Sequence, residues 1–181
     1  MICEGFVIVS ADGMLTDASG QMPASLRYDA DQAFFSDALD RVDVVVHGRH
    51  SFEDQPHSPR RARVRITRAV EALGPDDTLP NSIAWNPHGA SFEAACNTAR
   101  PGAQNIAIIG GPGVFAMLLP RISTFWLSQA RRIQLPGGQR AIASPDHAMP
   151  QDVLMRHGFA AQEPRILDAA QDVIVTPWRR L

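Results

Sequence analysis

Apolar runs of four to nine residues alternate along this chain with segments whose apolar positions recur at helical spacing. Ile2 to Ser10 is rich in Ile, Val and Phe and predicts a buried strand, which Asp12-Gly13 breaks with a turn. Residues 14 to 28 hold Gly20, Pro23 and small polar side chains and predict a long loop, of the kind that carries function in compact domains. Asp29 to Leu39 has a helical apolar stripe through Ala33, Phe34 and Ala38, with Asp29 or Asp31 suited to its first turn. Val42 to His47 predicts a second buried strand and Arg49 to Glu53 the start of a short helix. A polar loop spans Gln55 to Arg63, a third strand Val64 to Thr67, and a turn-forming segment residues 74 to 81. Ser82 to Trp85 predicts a strand and Ala90 to Ala99 a helix. Ile106 to Ile109 and Thr124 to Ala130 read as strands, with a helical segment between them. Residues 136 to 151 read as mostly loop, and Phe159 to Leu167 with Asp172 to Trp178 as a closing antiparallel pair.

Strands alternate with helices for most of the chain and then pair with each other at the end. That order predicts an α/β fold with a mostly parallel central sheet flanked by helices and an antiparallel C-terminal edge strand. No repeat, low-complexity segment or linker interrupts it, so residues 1–181 read as one domain.

Composition narrows the chemistry. The 181 residues suit one core, and a formal net charge of −2 gives no general pull toward nucleic acid or an anionic membrane. All 17 basic residues are arginine, which excludes Schiff-base and lysine-nucleophile mechanisms. Cys3 and Cys96 stand far apart without a CxxC, so neither a structural zinc site nor a disulfide framework is expected. His47, His50, His57, His88, His147 and His157 show no metal-ligand spacing, and no metal is expected. Ser10, Ser25 and Ser128 lack a GxSxG context. The basic run Arg60 to Arg65 has no interleaved aromatics, which argues against nucleic acid and leaves a grip on a substrate carboxylate or phosphate. The N-terminal MICEGFVIVS lacks a basic leader and is too short to span a membrane, so a cytoplasmic protein is expected.

The chemically suggestive stretch is Ile106 to Leu119, IAIIGGPGVFAMLL. An apolar strand ends at Gly110-Gly111, Pro112 suits a first helical position, and an apolar helix follows. Such a turn leaves unpaired backbone N–H groups at a helix start, where phosphate is attracted. The spacing fits neither GxGxxG nor the Walker motif.

Five stretches in order resemble the dihydrofolate reductase-like superfamily, particularly its riboflavin-pathway pyrimidine reductase branch. They are the first strand with Asp12-Gly13, Met22-Pro23, Asp31-Gln32-Ala33-Phe34-Phe35, Gly48-Arg49-His50-Ser51-Phe52-Glu53, and Ile109-Gly110-Gly111 with Val114-Phe115 and Leu119-Pro120. The resemblance covers nearly the whole chain and implies a three-layer sandwich. It also implies an NADPH-dependent reductase acting on a flat nitrogen heterocycle, either a riboflavin-pathway pyrimidine or a pterin. A non-catalytic dinucleotide-binding sensor on the same fold is the alternative.

By that resemblance Gly110, Gly111, Pro112, Gly113, Val114 and Phe115 hold the pyrophosphate, with Leu15, Gly48, Arg49 and Ser51 beside them. Thr67 and Arg68 then meet the 2′-phosphate, which a guanidinium binds in forked geometry. Asp31 is the implied pocket carboxylate, with Met22, Phe35 and Arg61 as substrate contacts. The link from Met22-Pro23 to Asp31 is longer than the resemblance implies, so Asp29 competes for the role, and Ala24 stands where the family carries tryptophan. Riboflavin-pathway relatives commonly pair, so a homodimer is expected.

Overall fold

The architecture is that of a computed structural model, which describes all residues except Phe52 and Glu53. Strand β1, Ile2–Ser10, leads through a long loop into helix α1, Asp29–Leu39. There follow β2 (Val44–His47), β3 (Arg63–Ile66), β4 (Leu73–Pro75), β5 (Ser82–Trp85), α2 (Phe92–Ala99) and β6 (Asn105–Ile108). Then come α3 (Pro112–Leu118), β7 (Thr124–Ala130), α4 (Pro150–Arg156), β8 (Phe159–Ala161), β9 (Arg165–Asp168) and β10 (Val173–Arg180). No helix among the described residues is long and apolar enough to cross a membrane.

The strands form one sheet in the order β4-β5-β3-β2-β6-β1-β7-β10-β8, with β9 also on β10. The six strands from β5 to β7 are mutually parallel. β10 runs antiparallel to β7, and β4 antiparallel to β5. The near-continuous apolar runs of β2 and β6 follow from this, because both sheet faces are covered. Val44, Val46, Ile106, Ile108, Phe125 and Leu127 pack with Phe92, Phe115, Leu118 and Leu154 of α2, α3 and α4. On the other face Phe6, Val45, Ala107 and Trp126 pack with Ala38, Leu39 and Phe34 of α1. The result is a three-layer α/β sandwich.

Four expectations are corrected. Residues 74 to 81 read as turn-forming, but Gly74 and Pro75 belong to the edge strand β4. Pro150, read with the loop before it, opens α4, where a missing N–H costs nothing at the first helical position. The strand expected from Phe159 to Leu167 is two strands, interrupted where Pro164 can donate no ladder hydrogen bond, and both pair with β10. Arg49-His50 forms a turn and Ser51 has no regular structure, so the helix expected from Arg49 does not begin there. Its remaining residues, Phe52 and Glu53, lie outside the described residues.

Candidate active site

Because β1, β2, β3 and β6 are parallel neighbours, the segments leaving their C-terminal ends meet on one edge of the sheet, where α/β proteins bind ligands. β1 delivers Asp12 to Met22, β2 delivers Gly48 to Ser51, β3 delivers Thr67-Arg68, and β6 delivers the glycine turn. Helix α1 returns from that edge, so its first turn, with Asp29 and Asp31, starts there too.

The turns after β2 and β6 are joined directly. The Gly48 N–H donates to the Gly110 carbonyl at 2.7 Å, and the Ile109 N–H donates to the Val46 carbonyl at 3.0 Å. Gly110 has φ +104°, and a Cβ there would meet the buried Phe115 ring at 2.8 Å, so only glycine fits. The Gly110–Gly111 peptide is cis. A Cβ on Gly48 would press on Val114 at 3.2 Å, so the two turns touch at their backbones. The Phe115 ring packs tilted against that of Phe125, 5.1 Å between centroids, and anchors α3 to the sheet.

The Phe115 N–H is satisfied by the Gly111 carbonyl, whereas the Gly113 and Val114 amides have no acceptor among the described residues. Gly113 is exposed, and a Cβ built on it meets nothing within 4 Å. Two such amides at a helix start, with Gly113 open to solvent and Ser51 Oγ beside Gly111, can hold a phosphate oxygen. Arg49 and Arg68 are both exposed on the neighbouring turns, with no carboxylate within ion-pairing distance among the described residues. Thr67 is nearly buried, and its hydroxyl accepts from the Ala69 N–H at 3.1 Å, which fixes the turn that carries Arg68. Leu15 packs against the core on the α3 face. Its N–H donates to the Gln139 carbonyl at 2.8 Å, which ties the loop after β1 to residues 135–140. Asp12 strengthens that tie, its carboxylate accepting from the Leu135 N–H at 3.0 Å and from Ser10 Oγ at 2.5 Å. Those contacts hold its carboxyl below the usual range although partial burial acts the other way.

On the α1 face, Asp31 is 5% exposed while Asp29 is exposed. Of the two competing carboxylates, Asp31 is therefore the buried one. Burial pushes its pKa up to about 6, partly opposed by the polar Ser128 hydroxyl. Ser128 is 3% exposed and was not expected to matter. The available signal was a polar residue on the covered side of an apolar strand, two positions from Trp126. Phe35, one turn after Asp31, is half-buried with its ring 6.2 Å from that of Phe6. Met22 is partly buried. Arg61 is only 8% exposed and is held by Asp40 at 2.6 Å, with Gln55 and Ser36 at 3.3 and 3.4 Å. It braces the 55–61 loop against α1, and a substrate anion would have to share it with Asp40.

Two surface cavities lie elsewhere and contain none of the residues expected to bind cofactor or substrate. One, of about 460 Å³, is lined by Arg60, Asp76, Asn81 and Ser82. The other, of about 280 Å³, lies behind α1 against Trp126.

No family model and no curated protein matches the chain. Solved structures do. The chain is similar to the diaminohydroxyphosphoribosylaminopyrimidine deaminase/5-amino-6-(5-phosphoribosylamino)uracil reductase of Thermotoga maritima, with TM-score 0.69 and 13% identity over 99% of this chain. It spans 56% of that protein's length. A pyrimidine reductase-like protein from Corynebacterium diphtheriae matches with TM-score 0.68 and 12% identity, over 99% of this chain and 92% of that one. Dihydrofolate reductase from Enterococcus faecalis, complexed with NADP(H), matches with TM-score 0.64 and 16% identity, over 98% of this chain and 96% of that one. The chain shares its fold with these reductases. At these identities the likeness establishes architecture, and the reaction has to be argued from the site.

Proposed function

We propose that the chain is an NADPH-dependent reductase of a flat nitrogen heterocycle, of the riboflavin-pathway pyrimidine or the pterin class. The observation that carries this is the pairing of two features at one sheet edge. One is a glycine turn with two free backbone donors. The other is a single buried carboxylate, Asp31, on the opposite face of the sheet.

In this reading the amides of Gly113 and Val114 hold the cofactor's bridging phosphates and Ser51 adds a hydroxyl. Arg49 and Arg68 supply positive charge, with Arg68 aimed at a 2′-phosphate. NADPH, when bound, supplies the hydride. The protein's own part is orientation, exclusion of water and placement of charge. Asp31, with a carboxyl raised to about 6, keeps its proton up to about pH 6, well above the point where a fully solvated aspartate has lost it. It can therefore grip an amidine-like edge of a heterocycle and keep a proton on the ring nitrogen, which makes the neighbouring carbon a better hydride acceptor. Phe35 offers an apolar surface to the ring.

The test is loss of absorbance at the nicotinamide band when protein and NADPH are mixed with a ribosylaminopyrimidine or with dihydrofolate. Turnover of one of them is expected. Tight NADPH binding with neither reduced would favour the dinucleotide-sensing role, and absence of any dinucleotide binding would overturn both.

A further inference from the structure

His47 closes β2 immediately before Gly48 and is 1% exposed. Its Nδ1 lies 2.8 Å from the Gly48 carbonyl oxygen, which accepts, so Nδ1 carries the ring proton. The same carbonyl accepts from the Ser51 N–H at 3.3 Å. The Gly48 N–H, on the other side of that residue, donates to the Gly110 carbonyl. One side chain therefore holds the carbonyl of the residue whose N–H links the Ser51 turn to the glycine turn. The opposite nitrogen, Nε2, is buried with no hydrogen-bond partner among the described residues. Burial pushes the His47 pKa down, only partly opposed by the Gly48 bond, and the flanking Arg63 and Arg65 act with burial while Asp76 acts against it. The ring is neutral, and its one polar contact points at Gly48.

We infer that His47 is a positioning residue for the dinucleotide cradle, acting through its Nδ1–H on the Gly48 carbonyl and so on the register of the two phosphate-facing turns. This rests on the reductase reading only in naming what the cradle holds. Because Nε2 has no partner among the described residues, the inference is specific about which half of the ring matters. An asparagine side chain places an N–H close to where Nδ1 stands. A glutamine places one near Nε2, and a leucine fills the space with no donor.

The experiment measures NADPH affinity by quenching of intrinsic tryptophan fluorescence for the wild type, His47→Asn, His47→Gln and His47→Leu. Near-ultraviolet circular dichroism and urea unfolding are recorded on each. The dissociation constant is expected to rise tenfold or more in His47→Leu and His47→Gln and to stay within threefold of wild type in His47→Asn. Equal affinities in all four, or equal weakening in all three variants, would overturn the inference. If His47→Leu does not fold, the comparison of His47→Asn with His47→Gln still decides. A wild type that does not bind NADPH would instead count against the reductase reading.

Discussion

Replacing Asp31 with asparagine separates a buried functional carboxylate from an ordinary helix-start aspartate. Asparagine keeps the size and polarity of the side chain, but it cannot ionise. Moving a carboxyl from 3.8 to about 6 corresponds to about 3 kcal/mol of preference for its neutral form in the folded protein. Between those two values the folded chain keeps a proton that the unfolded chain has released. Stability therefore falls as pH rises through this window, and the whole cost is felt above about 6. At about pH 8, Asp31→Asn should be more stable than wild type by about 2–3 kcal/mol, and at about pH 4 the gain should vanish. For a chain of this size that corresponds to a rise in Tm of about 5–10 °C at the higher pH. Urea unfolding followed by circular dichroism at both pH values reads it directly. A variant less stable than wild type at about pH 8, or equally shifted at both pH values, would show that Asp31 is not a desolvated carboxylate. The same variant should lose turnover while binding NADPH nearly as wild type does, because a group tuned for chemistry is commonly kept at a cost in stability.

Other perturbations test other parts of the account. Arg68→Ala should weaken NADPH by about tenfold or more and NADH hardly at all, since a forked guanidinium contact to phosphate is charge-assisted. Equal losses in a side-by-side titration would remove Arg68 from the 2′-phosphate. Gly110→Ala should cost about 2 kcal/mol or more in urea unfolding, because an L side chain at φ +104° is strained and its Cβ meets the Phe115 ring. A neutral result there would mean that the two turns are not packed as described. Asp76→Ala should cost about 3–5 kcal/mol by leaving Arg65 without its buried partner. Asp76 is held well below the usual carboxylate range, so this contribution is present above about pH 4 and is lost on acidification, which a melt at low pH would reveal as convergence of variant and wild type.

Much of the architecture could be read from local pattern. The bounds expected for α1 and β7 are those observed, since Asp29 and Thr124 open strongly patterned segments and no competing turn residue lies inside them. β4 was hidden because Gly74 and Pro75 are poor strand residues, and its pairing with β5 comes from the sheet edge rather than from its own sequence. α4 was hidden because Pro150 breaks a helix from within yet opens one at its first position. The split between β8 and β9 follows Pro164. In the site, the choice between Asp29 and Asp31 could not be made from spacing, because both occupy the first turn of α1. What separates them is burial, Asp31 lying beneath the sheet face that carries Ser128, 97 positions later in the chain, while Asp29 is exposed. Arg61 was similarly opaque, since its partner Asp40 is distant in sequence and belongs to the end of α1. His47 was set aside on metal-ligand spacing, which carries no information about a side chain that serves the next residue's carbonyl.

The account stands on where a dinucleotide's phosphates rest. A crystal grown with NADPH should show them within hydrogen-bonding distance of the Gly113 and Val114 amides, with the nicotinamide reaching toward Asp31. Phosphates seated elsewhere, or a glycine turn with its amides still facing water while NADPH is bound, would contradict it.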